Sequence, residues 1–111
     1  KAESIVKIWI EKDELKGKIV ELIEPEKENP VCDECEGARK DQPIIGMEFI
    51  WGLKKDDDVW DDGEILDPGN GEVYSAKIQA IENGTKLEVR GYIGFAFAGR
   101  SQIWERVADK L

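Results

Sequence analysis

The chain contains no histidine. That removes the commonest general base and metal ligand, together with the one side chain that ordinarily titrates near neutrality. Cysteine is confined to Cys32 and Cys35. A zinc site would therefore need carboxylates or a second chain to complete its four ligands, and no metal is expected. No cofactor is expected either. Positive charge is short: 16 lysines and arginines against 25 acids give a formal charge of −9. Such a chain repels phosphate backbones and anionic lipid surfaces, so no nucleic-acid partner is expected. No window approaches the ~18 apolar residues of a membrane-spanning helix, so no transmembrane segment is expected. The opening Lys1-Ala2-Glu3-Ser4 has no apolar signal core, and a signal peptide, where the protein is made with one, is expected to have been removed already.

Proline is scarce as well, and three of the four (Pro25, Pro30 and Pro43) fall in one polar stretch. With 111 residues there is room for one domain and one core. We read residues 1–111 as a single domain with a long polar, Cys-containing loop at about 24–43. A loop of that length in a compact domain is either functional or poorly ordered.

What the chain does have is β-pattern. From Trp60 to Gly94, three short runs are separated by two turn signals. Asp67-Pro68-Gly69-Asn70-Gly71 combines a residue of fixed φ with residues that accept positive φ, and Asp67 suits an Asx-type turn. Glu82-Asn83-Gly84-Thr85 places Asn-Gly at the centre of a hairpin turn of type I′. Between them Tyr74, Ala76, Ile78 and Ala80 alternate with polar residues, and Leu87, Val89 and Ile93 do so in the next run. Upstream, Val6, Ile8 and Ile10 share one parity, and Leu15 to Ile23 follows after a polar turn, which together predict a hairpin. One helix over the same residues is disfavoured by Gly17 and the density of β-branched side chains. Ile44 to Leu53 returns to strand character with Met47, Phe49 and Trp51 on one parity; Lys54 to Asp62 reads as an acidic surface turn holding Trp60; Arg100 to Val107 is a final strand. The fold class is all-β, an antiparallel meander that must curl or close to hide its apolar face.

Six stretches in this order carry a resemblance: G-K-I-V-E-L at 17–22, C-x-x-C-x-G at 32–37, P-I-I-G-M at 43–47, W-x-x-G-x-I-x-D-P-x-x-G-x-x-Y-S-A at 60–76, L-x-V-R-G-Y-I-G at 87–94 and G-R-x-Q-x-W-x-R-V at 99–107. Together they resemble domain-of-unknown-function family 2147, small exported bacterial proteins. The resemblance implies a lipocalin-like β-barrel, export to the periplasm or beyond, and, by fold analogy alone, binding of a small apolar ligand. The family's opening Gly-x-Trp strand has no counterpart in these residues: a trimmed chain is the first explanation, and a barrel that lacks its first strand is the alternative. Arg106 is expected to take the family role of an arginine that caps a tryptophan.

Cys32 and Cys35 are surrounded by Asp33, Glu34 and Glu36, which disfavour the thiolate that redox catalysis needs. A local disulfide pinning the loop is the preferred reading and suits an exported protein; free thiols and a thiol-exchange enzyme are the alternatives. The acidic run Asp56, Asp57, Asp58, Asp61 and Asp62 does not fit a calcium-loop register, since Trp60 stands where an oxygen ligand belongs, and reads as a solvated turn. Arg90, Arg100 and Arg106 lie near Tyr92, Gln102 and Trp104 in sequence, which suits either barrel closure by Arg100, Trp104 and Arg106 or an anion-binding site. Whether Ile103 and Val107 or Trp104 and Arg106 face inward is open. The expected ligand-lining residues are Met47, Phe49, Trp51, Tyr74, Ile78, Leu87, Val89, Arg90 and Ile93, and the competing expectation is a filled core. No catalytic constellation is legible. A non-catalytic binder of a small, mostly apolar molecule is the first reading, a cell-envelope interaction or structural module using Trp9, Trp60 and the Cys loop the second, and a thiol-based redox protein the third.

Overall fold

The structure, a computed structural model, describes residues 4–23, 30–92 and 101–106. Seven strands are described: β1 (Ser4–Glu11), β2 (Glu14–Leu22), β3 (Glu48–Asp56), β4 (Val59–Asp67), β5 (Glu72–Ile81), β6 (Lys86–Tyr92) and β7 (Ser101–Glu105). Each pairs antiparallel with the next in chain order, giving one sheet that curls into a half-barrel. Among the described residues, β1 and β7 are its two edges. The first two runs form the predicted hairpin, closed by Lys12 and Asp13 in left-handed conformation at φ 52° and 65°.

Residues paired directly across an antiparallel ladder share a face. One row therefore runs Ile8, Gly17, Ile50, Ile65 and Tyr74; a second runs Gly63, Ala76 and Gly91; a third runs Trp60, Ile78, Val89 and Gln102. This is the inner face. Ile50, Ile78 and Ala76 on it are fully enclosed.

Strict alternation fails in β3, and the cause is local. Gly17 pairs with Ile50 while Lys18 pairs with Glu48, so Phe49 is an extra residue with no partner opposite. A bulge of this kind turns neighbouring side chains to one side, and Phe49 and Ile50 are both buried. Gly52 then takes φ 76°, and Leu53, three residues after Ile50, is enclosed again. The expected inward series of Met47, Phe49 and Trp51 is thus corrected to Phe49, Ile50 and Leu53, with Met47 buried ahead of the strand.

Other boundaries shift too. The acidic turn expected over Lys54 to Asp62 shrinks to Asp57 and Asp58, because Asp56 already pairs with Val59. The third strand starts at Glu48 rather than Ile44: Met47 N–H bonds to the Ile44 carbonyl and Ile44 N–H to Pro30, so 44–47 is a turn. The second turn signal makes a four-residue connection between Ile81 and Lys86, not a two-residue type I′ turn, with Glu82, Asn83 and Gly84 all at positive φ.

Candidate functional site

The concave face of the roll is the candidate site. Its lining comes from every strand, and its core holds Leu15, Ile19, Phe49, Ile50, Leu53, Ala76, Ile78 and Val89, with Ile8, Trp60, Ile65, Leu87 and Trp104 packed partly buried against them. Among the described residues no polar or charged side chain is buried. Part of this face is filled from within the sheet. At Gly17 the tips of Ile8 and Ile50 occupy the space a side chain would take, and at Gly63 the Leu53 side chain and the β3 backbone do so. Gly63 has no room for a Cβ, which is why a glycine interrupts the polar run of β4 there.

The roll is bridged from side to side by aromatic rings. Trp104 of β7 pairs with Leu87, and its ring stacks on Phe49 of β3 with centroids 6.3 Å apart and planes at 28°. Its indole N–H donates to the Gln102 side-chain oxygen at 3.0 Å. Ile103, by contrast, is 50% exposed. The open parity of the last strand is thereby settled: Trp104 faces inward.

One corner of the sheet is covered by the Cys loop. Cys32 and Cys35 are joined by a disulfide, Cα atoms 5.4 Å apart, and both are buried. Around it Cys32 N–H donates to Gln42, Asp41 N–H donates to Cys32, and Val31 bridges to Pro43. A short 3₁₀ turn at Gly37–Arg39 follows. The loop docks on the β4–β5 turn. Gly71, at φ 75°, has its Cα against the Glu34 carbonyl, where any Cβ would collide, and Cys32 Sγ lies 3.6 Å from the Pro68 carbonyl oxygen. Asp67 makes the expected Asx turn, its Oδ1 accepting from Gly69 N–H at 2.8 Å. Ile19 secures the loop's far end, donating to Met47 and accepting from Gly46.

The predicted lining residues divide. Phe49, Ile78, Leu87 and Val89 lie on the inner face, and Tyr74 joins them with its hydroxyl donating to Glu72 and accepting from Asn70 at the β4–β5 turn. Met47 is buried where the Cys loop meets β2. Trp51 and Arg90 stand on the opposite face. Trp51 pairs with Glu64, donates to its carboxylate at 3.1 Å, and is covered by the Arg39 guanidinium 4.3 Å from the ring centroid. Arg90 pairs with Lys77, one residue off the inward Ile78 and Val89, and its Nε donates to Ser101. Arg106 is exposed, its backbone N–H on the Thr85 carbonyl. Ile93 and Arg100 lie outside the described residues. Trp60, expected on the surface, is half-buried and paired with Ile78, while Trp9 lies half-buried under Lys18.

The outer face carries a perturbed titrating group at Tyr92. Tyr92 donates to Asp61 Oδ1 at 3.1 Å, and Lys77 lies 3.6 Å from the other oxygen. Burial first, and then the Asp61 carboxylate, raise the phenol above its ordinary value because both disfavour phenolate. Asp61 is thereby a structural acceptor. Among the described residues no cluster of acids or cysteines is arranged to hold a metal ion.

Sequence reasoning missed Ile50, Leu53 and Trp60 as inner-face residues. The signal was Gly52, an isolated glycine inside a strand pattern, which marks a bulge.

A family model described as "Uncharacterized protein conserved in bacteria (DUF2147)" matches residues 1–106. Among solved structures, the fold is similar to that of protein HP1028 from Helicobacter pylori, described as belonging to the lipocalin family, with a TM-score of 0.83. The two chains are 16% identical, and the match covers 96% of this chain and 73% of that one. At that identity the likeness shows the fold alone. No curated protein matches the chain.

Proposed function

The chain belongs to the DUF2147 family, whose model spans residues 1–106, and from that premise we propose that it is an exported, non-catalytic binder of a small, mostly apolar molecule held against the inner face of the rolled sheet. One observation carries this reading. The inner face gathers apolar side chains from all seven strands, with no buried polar or charged side chain among the described residues. Inserting a charged or hydrogen-bonding group there would cost its hydration without return, whereas an apolar group gains about 25 cal/mol for each Å² it hides. The lipocalin described for the similar structure supports the same class of use by analogy. Export is supported by the disulfide, which persists in oxidising compartments. Enclosure of both sulfurs supports a structural bond rather than a thiol-exchange centre.

The test is native mass spectrometry of protein purified from its own envelope fraction, before and after extraction with organic solvent. Recovery of a stoichiometric apolar adduct supports the reading. Protein that carries none and binds no uncharged hydrophobic probe in titration overturns it.

A further inference from the structure

The chain carries Asn-Gly twice, at Asn70–Gly71 and at Asn83–Gly84, each in a connection between neighbouring strands. This dipeptide can modify itself. The backbone nitrogen of the glycine gives up its proton to water or hydroxide and attacks the carbonyl carbon of the Asn side chain; the bond from that carbon to the amide nitrogen breaks, and ammonia leaves. Water then opens the resulting five-membered imide at either carbonyl, giving aspartate or isoaspartate. Glycine favours the attack because no Cβ shields its nitrogen.

Both asparagines are exposed, so access to water does not separate them. Their surroundings do. Asn70 is held at both ends of its amide: Oδ1 accepts from Glu72 N–H at 2.8 Å, and Nδ2 donates to the Tyr74 hydroxyl at 3.1 Å. The attacking nitrogen of Gly71 is engaged as well, donating to the Asp67 carbonyl at 2.7 Å, and the Glu34 carbonyl of the Cys loop closes over the residue. Carrying the Asn70 carbonyl carbon onto the Gly71 nitrogen therefore costs those bonds and the loop contact. At Asn83 the amide has no hydrogen-bond partner among the described residues, and nothing stands within 4 Å of the place a Cβ on Gly84 would take.

We propose that Asn83–Gly84 is a site of spontaneous deamidation, and that the fold shields Asn70–Gly71 from the same reaction. The product adds a carboxylate next to Glu82, which already lies 3.4 Å from Lys86, and its isoaspartyl form lengthens the backbone between Ile81 and Lys86 by a carbon. Thr85 in that connection receives the Arg106 N–H at 3.0 Å, so the change reaches the end of β7, the strand that carries Trp104.

The full chain is incubated folded at mildly alkaline pH and, in parallel, in urea. Trypsin then puts the two asparagines in different peptides, because Lys77 lies between them, and mass spectrometry follows the replacement of ammonia by water. In the folded chain Asn83 is expected to react at least about tenfold faster than Asn70, whose reaction waits for a local opening of the loop. In urea the two are expected to react at comparable rates. Tyr74→Phe, which removes one partner of the Asn70 amide, is expected to speed Asn70 and leave Asn83 unchanged. Equal rates in the folded chain overturn the proposal, and so does a difference of the same size in urea, which would trace it to neighbouring residues rather than to the fold. Hydrogen exchange on the purified isoaspartyl form is expected to find the Arg106 amide less protected than in the unmodified chain; unchanged protection overturns the link to β7.

Discussion

Phe49 and Trp104 belong to strands separated by three others in the sheet, yet their rings lie 6.3 Å apart. The contact turns a row of hairpins into a roll, because it joins the two sides across the interior rather than along the ladder. Phe49 is buried, so Phe49→Ala removes a full aromatic side chain and leaves a void, at a cost of about 3 kcal/mol. Trp104 is only half-buried, and Trp104→Ala is expected to cost less. Urea unfolding of the two variants checks both the size and the order.

Gly63 and Gly17 lie on the same face and differ in what surrounds them. At Gly63 a Cβ meets the Leu53 nitrogen and the Trp51 carbonyl, both backbone; at Gly17 it meets the terminal methyls of Ile8 and Ile50 at 3.0 and 3.1 Å. Backbone cannot step aside cheaply, but side-chain tips can. Gly63→Ala is expected to destabilise by more than about 3 kcal/mol and to resist rescue by Leu53→Ala, while Gly17→Ala costs about 1–3 kcal/mol and is eased by Ile50→Val. Thermal denaturation of the two double variants separates the cases.

The disulfide closes a short segment, Cys32 to Cys35, and stabilises by about 2 kcal/mol if chain entropy dominates. Because both sulfurs are enclosed, reduction by a small thiol requires the loop to lift from the β4–β5 turn. Cys32→Ser/Cys35→Ser is expected to expose the amides of Cys32 and Asp41 to hydrogen exchange while those of β5 and β6 stay protected. Gly71→Ala, which drives a Cβ into the Glu34 carbonyl, should loosen the same loop with the disulfide intact. Loss of protection spread evenly over the sheet would contradict the local docking.

Tyr92 holds its proton more tightly in the folded chain than in the unfolded one, owing to burial and to the Asp61 carboxylate. The protonated phenol is the form the fold prefers, so its contribution is fully present below the unfolded pKa of about 10 and is lost as pH rises through the higher folded value. Phenolate absorbance of wild type is expected to rise later than that of free tyrosine, and Asp61→Asn to bring it earlier. A titration unchanged by Asp61→Asn would count against this account.

Much of the architecture was legible in the residues themselves. Alternation with period two, turn residues such as Asp67-Pro68-Gly69 and the density of β-branched side chains specify antiparallel hairpins, because each acts over a few neighbouring positions. The inward placing of Ile78, Leu87 and Val89 followed from that pattern alone. What escaped it was every feature that depends on register. The slip at Phe49 turns Ile50 in and Trp51 out, the second irregularity at the left-handed Gly52 restores the original parity so that Leu53 faces in, and the slip between Trp60 and Gly63 turns Trp60 inward.

Sequence by itself determined that the chain is all-β, acidic, without a histidine-based site, and bound to gather one oily face. Only the tertiary structure decided that Phe49 meets Trp104, that Arg90 stands with Lys77 on the outer face, and that the Cys loop sits on the Pro68–Gly71 turn. The reason is physical: secondary structure follows from local backbone and side-chain preferences, whereas contacts between distant strands follow from ladder slip and sheet curvature, which the whole sheet sets together.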